Sequence, residues 1–350
     1  MNALPILCGA AALLAAGAVA PAQQTPPDAA PIYRRAFAEM SKALRDDSDD
    51  SVDWPRVETP SIAAYRAAPW PELLRATAVA RALFTQAASM KRCSFDQPTG
   101  ASVLGDEVQD RVSDFVTMGT FLCAHAWSVL ETQPGAALAD LEALLSCARH
   151  LEAQESLWSA LMAANQANSA LALTEALLSV QGEAAPRPSI LRRALAAVEA
   201  RARSRANPSQ LADRSIEDAR AMLALQQEDG AQNAAAITAA KDRAMEMLQG
   251  LLAPMRAAKA GDVEKVRVAT ERLISELKSE FDGKKASEVA ATGVGEALAA
   301  VLATLVAPNS VGLLKMWDDE GARLEELIAT LRGRCDLPPR PAKGQRGQDR

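Results

Sequence analysis

The chain has 350 residues, with 38 basic against 44 acidic side chains, two His, five Cys, 4% aromatics and a formal net charge of −6. That balance argues against bulk nucleic-acid binding, which needs clustered Lys and Arg against phosphates and aromatic rings against bases. Five Cys are too few for a disulfide-framework miniprotein, and 49% apolar residues exclude wholesale disorder.

Residues 6–20 (ILCGAAALLAAGAVA) form an uncharged apolar run. The run is too short for a comfortable membrane span and right for a signal-peptide core. Ala20-Pro21-Ala22 supplies an A-x-A cleavage site before Gln23. Residues 1–22 are therefore expected to be a signal peptide, and the mature chain to be exported, periplasmic or secreted. Cys8 is no lipidation signal, because the large Leu7 precedes it and much of the apolar run follows it. A flexible lead-in is expected over 23–30.

Beyond it the apolar spacing is helical throughout, with no period-2 run, and the fold class expected is all-α. Tyr33, Phe37, Met40 and Leu44 make one stripe. Pro71 opens a helix over 71–90. Helices over 106–132 and 136–153, joined at Gln133-Pro134-Gly135, read as an antiparallel hairpin. Residues 156–180 lack Lys and Arg and read as a buried central helix. The predicted organisation is a helical hairpin array over 31–182, a Pro-rich linker at 183–188 and a second helical bundle over 189–334. Within that bundle helices are expected near 188–206, 208–229, 232–252, 262–281, 285–307 and 310–333, with Asp262 and Asn309 as N-caps. Residues 335–350, basic and Pro-rich, read as a disordered tail.

Three motifs carry a resemblance. Asp28-Ala29-Ala30-Pro31-Ile32-Tyr33-Arg34-Arg35-Ala36-Phe37 resembles the "N-A-A-x-x-Y-x-x-A-F" opening of exported helical proteins of planctomycete bacteria. Their Cys-aspartate turn is similar to Cys93-Ser94-Phe95-Asp96 with Gly100 after it. Their "L-x-x-A-L-x-L-A-R-H-L" helix is similar to 138–151, which ends Cys147-Ala148-Arg149-His150-Leu151. The resemblance covers about 28–180 and implies fold and export, with no activity attached.

The mature cysteines are Cys93, Cys123, Cys147 and Cys335, an even number in an oxidising compartment. Cys123 and Cys147 fall nearly opposite each other in the expected hairpin and are the first pairing to consider, Cys93 with Cys147 the second. Cys123, His125, Cys147 and His150 do not form a zinc set, because Cys123 and His125 point about 200° apart on a helix. The run Asp46, Asp47, Asp49, Asp50 and Asp53 has calcium-loop spacing, but Val52 stands where the turn requires Gly. It reads as a solvated loop able to attract cations weakly. Residues 289–307 are apolar apart from Glu296 and read as a buried helix rather than a span. Gly293-Val294-Gly295 has no strand before it and indicates no nucleotide, and no cofactor or metal is expected.

No catalytic residue stands out. Glu152, Glu155 and Glu175 lie in or near the least charged region and are the first carboxylates to consider for acid–base work. The function expected is a non-enzymatic interaction or scaffold protein with a protein partner, no nucleic acid and no membrane association. Its contact edge is placed near 46–70. The alternatives are an enzyme with a helix-borne carboxylate site and a membrane-tethered envelope protein.

Overall fold

A computed structural model describes residues 27–44, 61–95, 106–153, 157–205 and 294–338, with scattered positions between 207 and 275. The fold is all-α, and no strand occurs among the described residues; an isolated parallel bridge ties Asp28 to Arg92. The helices are α1 (Ala30–Leu44), α2 (Ile62–Arg66), α3 (Trp70–Ala76), α4 (Ala78–Ala88), α5 (Asp106–Val129), α6 (Pro134–Glu152), α7 (Leu157–Ser179), α8 (Pro188–Ser204) and α9 (Val294–Arg334).

Local chemistry explains several of these boundaries. The Asp28 carboxylate accepts from the Ala30 and Ser94 amides, each at 2.9 Å, and so caps α1 while pinning it to the segment after α4. Burial opposes its charge, yet the Ala30 and Ser94 donors together with Arg92 hold the carboxyl below its ordinary range. Pro134 opens α6 and Pro188 opens α8, at first-turn positions where a missing amide hydrogen costs nothing.

The core begins at an aromatic cluster. Tyr33 and Phe37 of α1 meet Phe84 of α4, Phe95 and Phe115 of α5, mostly edge to face. From there α6 runs through the middle, against α4, α5, α7 and α8. It shares with α7 the central place expected of 156–180.

Four expectations are revised. The helix expected over 71–90 is two, because buried Thr77 turns its hydroxyl onto the Leu73 carbonyl at 2.8 Å between α3 and α4. Asn309 caps nothing: α9 continues through Pro308, with one backbone bond lost rather than the helix ended. Cys335, assigned to the tail, is buried, and so are Ala29 and Ala30 of the lead-in. Residues 182–184 form a 3₁₀ turn, with Gly182 at φ +71°, and α8 and the end of α9 contribute Leu191, Val198, Leu324 and Leu331 to the same apolar core as α1 to α7. Asp262, together with 46–53, 155 and 289–293, lies outside the described residues.

Gly119 on α5 faces α7 at the point where Gln166 donates to the Phe115 carbonyl at 3.0 Å, and a Cβ there would overlap the Gln166 amide. Gly119→Ala is expected to cost about 1–3 kcal/mol by overpacking. Urea denaturation reads this directly, and an unchanged midpoint would show that α7 yields freely.

Candidate functional site

The described helices leave a cleft of about 370 Å³ where α2, the α3–α4 junction and the end of α5 meet. Its lining includes Tyr65 and Arg66 of α2, Arg75 of α3, Arg81 of α4, and His125 and Ser128 of α5. No carboxylate is among its lining residues. Arg75 is exposed, whereas Arg81 is largely enclosed. Arg81 donates from Nη2 to the Leu74 carbonyl at 2.9 Å, and its buried Nε has no partner. Arg66 donates to the Ser128 carbonyl at 2.9 Å and pairs with Glu131 at 3.3 Å on the rim, both side chains about half exposed. An exposed pair of that kind contributes roughly 0–1 kcal/mol to stability, and Glu131 offsets the charge of Arg66, so Arg75 and Arg81 supply the positive charge of the cleft.

His125 is fixed from behind. Its Nδ1 lies 2.6 Å from Oδ2 of Asp140, which is nearly buried on α6. Burial pushes the Asp140 carboxyl up, opposed by the hydrogen bond from His125 and by Arg81. The contact fixes the ring orientation and leaves Nε2 as the nitrogen that Asp140 does not engage. Burial, with Cys123 nearby, pushes the Tyr65 hydroxyl up to about 12, so it remains a neutral donor. The cleft gathers three guanidinium groups and an oriented imidazole, a donor set of the kind that suits an anion, with the Tyr65 and Trp70 rings packed against each other beside it.

A second polar centre is fully enclosed. Arg201 of α8 has no exposed side-chain surface and forks onto Glu152 of α6 at 2.6 and 2.7 Å. It also reaches Glu320 of α9, through Nε at 2.6 Å and Nη2 at 3.2 Å. Both carboxylates favour its charge and overcome the penalty of burial. One turn further along, Arg205 lies over the Trp317 ring at 4.2 Å, and Gly321 gives its guanidinium room. This centre ties three helices together and opens onto no reacting atom, so its role is structural.

The carboxylates, histidines and cysteines singled out from the sequence disperse in the fold. Glu152 belongs to that enclosed centre, and Glu175 pairs on the surface with Arg323 at 2.9 Å. The two His are apart in role: His125 serves the cleft, while Nδ1 of His150 accepts from Tyr33 at 3.0 Å and its Nε2 donates to the Met90 carbonyl at 2.9 Å. No group of ligands able to hold a metal ion occurs among the described residues. Cys93, Cys123, Cys147 and Cys335 form no disulfide. The Cys123–Cys147 pairing is not formed, because Cys123 turns toward Trp127, Asp140 and Tyr65 while Cys147 turns toward Tyr33 and Cys93. Burial pushes the Cys123 thiol up to about 12, which makes it inert at neutral pH.

The edge expected near 46–70 also changes character. Tyr65 and Trp70 are buried in the core, and α2 and α3 expose Arg66 and Arg75 alongside Glu72. Sequence reasoning passed over Arg66, Arg75 and Arg81, and weighed His125 only as a metal ligand, because the four come from four helices and share no local spacing. The chain matches no protein-family model, no curated protein and no solved structure.

Proposed function

We propose that this chain is an exported, non-enzymatic interaction protein that docks an acidic protein segment in the cleft of Arg66, Arg75, Arg81 and His125. The observation that carries the reading is a cleft lined by three guanidinium groups and no carboxylate, in a chain whose overall charge is negative. A local cationic surface on an acidic protein steers acidic partners to one place and repels them elsewhere. Export rests on the apolar run at 6–20 and its A-x-A site. A mature chain recovered outside the cytoplasm and beginning at Gln23 supports it; an intact N-terminus there counts against it.

An oligoglutamate peptide titrated by calorimetry is the test of the cleft. Arg75→Gln removes an exposed charge without disturbing the fold, and combined with Arg81→Gln it is expected to weaken binding about tenfold or more. The affinity of the intact chain is expected to fall as salt is raised. Equal affinity in the intact chain and the double variant would overturn the assignment.

The His125–Asp140 contact favours a second reading, in which His125 Nε2 draws a proton from water during hydrolysis of an anionic ester. Turnover of p-nitrophenyl phosphate that is lost in His125→Asn would establish it. No turnover by the intact chain would leave the cleft a binding site alone. No helix among the described residues is long and apolar enough to cross a membrane, which disfavours the tethered reading.

A further inference from the structure

A second cavity lies on the other side of α6. Interhelical bonds fix the directions of its walls. Arg193 meets Glu142 and Arg201 meets Glu152, so α8 runs parallel to α6. Arg81 of α4 lies near Asp140 while Met90, just past α4, bonds His150, so α4 runs parallel to α6 as well. The space between α4 and α8, floored by α6, is a trough of about 360 Å³.

The trough is apolar in its body and cationic at one end. Ala88 of α4, Ala139 and Ala143 of α6, and Ala197 and Ala200 of α8 line the body, and their small side chains are what leave the space open. At the far end stands Arg149. Its Nε is buried without a partner, and its Nη2 makes only a 3.5 Å contact with the Met90 carbonyl. Arg193 and Arg201, the other arginines of the lining, are paired with carboxylates, whereas Arg149 forms no ion pair among the described residues and is the lining cation left for an anion. The Ser146 hydroxyl lies one turn back on the same wall. The opposite end is closed by Arg193 forked onto Glu142 at 2.7 and 3.1 Å, a pair that satisfies itself.

We infer that this trough is a binding site for a small amphipathic monocarboxylate, its carboxylate paired with Arg149 and its alkyl chain lying over the alanine floor. A guanidinium is the side chain best suited to a carboxylate. Behind the same end of the trough Arg201 and Arg205 face the carboxylates of Glu152 and Glu320, two charges against two, which leaves Arg149 as the cation for a monoanion. The volume lies within the range of small-ligand pockets and suits a chain of medium length. The site is independent of the cleft that takes the acidic segment, on the opposite side of α6.

Octanoate titrated into the full mature chain tests this, with octylamine as the probe of opposite charge. Octanoate is expected to bind and octylamine not to. Arg149→Gln is expected to weaken octanoate at least tenfold. Ala197→Leu, which fills the trough from the half-buried wall and leaves Arg149 in place, is expected to weaken it similarly. Retained oligoglutamate binding in both variants shows that they are folded and that the other cleft is intact. Octanoate that fails to bind the intact chain, or that binds Arg149→Gln and Ala197→Leu as tightly as the parent, overturns the proposal.

Discussion

Arg201→Met is expected to destabilise the chain by about 3–5 kcal/mol, a larger loss than that of an ordinary core substitution. The guanidinium has no exposed surface and spends four hydrogen bonds on two carboxylates that are themselves nearly or wholly buried. Removing it leaves Glu152 and Glu320 close together with no cation between them, so each loses its partner and repels the other. The loss is expected as a lower urea midpoint with an unchanged slope, because the surface exposed on unfolding is nearly the same. Met keeps the aliphatic stem of Arg but not the space of the guanidinium, so the loss combines the stranded carboxylates with a small cavity. The combined change Arg201→Met, Glu152→Leu and Glu320→Leu is expected to recover most of the loss, since replacing a buried ion cluster with apolar groups is often neutral. A single variant as stable as the parent would show that the cluster contributes register and not stability. Its three members come from α6, α8 and α9, 49 and 119 residues apart in sequence, so the fork also fixes how α9 sits on the earlier helices.

That cluster marks the border of what could be read from the sequence. The helices were legible because each writes its own period: the stripe Tyr33, Phe37, Met40 is buried as a stripe, and Pro134 and Pro188 stand at helix starts. Where a boundary was missed, a single side chain decided it against the period. Thr77 bends the backbone through its hydroxyl, and α9 carries Pro308 in its interior. The sites were not legible, because a site depends on how helices rotate about their axes. Cys123 and Cys147 fell nearly opposite each other in the expected register, yet rotation sends one toward α2 and the other toward α1. Glu152 was singled out for lying in a weakly charged region. Nothing local showed that Arg201 would neutralise it. The three arginines of the cleft look in sequence like ordinary helix-surface charges, and two of them also bond to backbone carbonyls, Leu74 and Ser128. Only their convergence gives them a further role.

His150 provides the second large effect, and it is one of pH. The ring is buried beneath α1, with Tyr33 donating to Nδ1 and Nε2 donating to the Met90 carbonyl, an arrangement only the neutral imidazole can satisfy. Burial moves its pKa from 6.5 down to about 4; the Met90 carbonyl and Asp28 resist that fall, and the adjacent Arg149 adds to it. The Cys147 thiol lies against Tyr33, and burial pushes its pKa up, so it remains uncharged across this range. Between pH 4 and 6.5 the unfolded chain binds a proton at this position that the folded chain does not. Stability from this group is therefore fully present above pH 6.5 and falls as the pH is lowered toward 4, by about 3 kcal/mol over the whole window. Urea midpoints measured at pH 7.5, 6, 5 and 4.5 are expected to fall accordingly. His150→Gln is expected to lower stability at pH 7.5 and flatten its dependence between pH 6 and 4.5. Tyr33→Phe is expected to cost about 1–3 kcal/mol at neutral pH by stranding Nδ1, and to leave the onset of acid loss where the unfolded chain sets it while narrowing the window from its lower end. A parent chain whose stability is level from pH 7.5 to 4.5 would mean that the imidazole takes up its proton without leaving the core, and that Tyr33 turns its hydroxyl to accept from it.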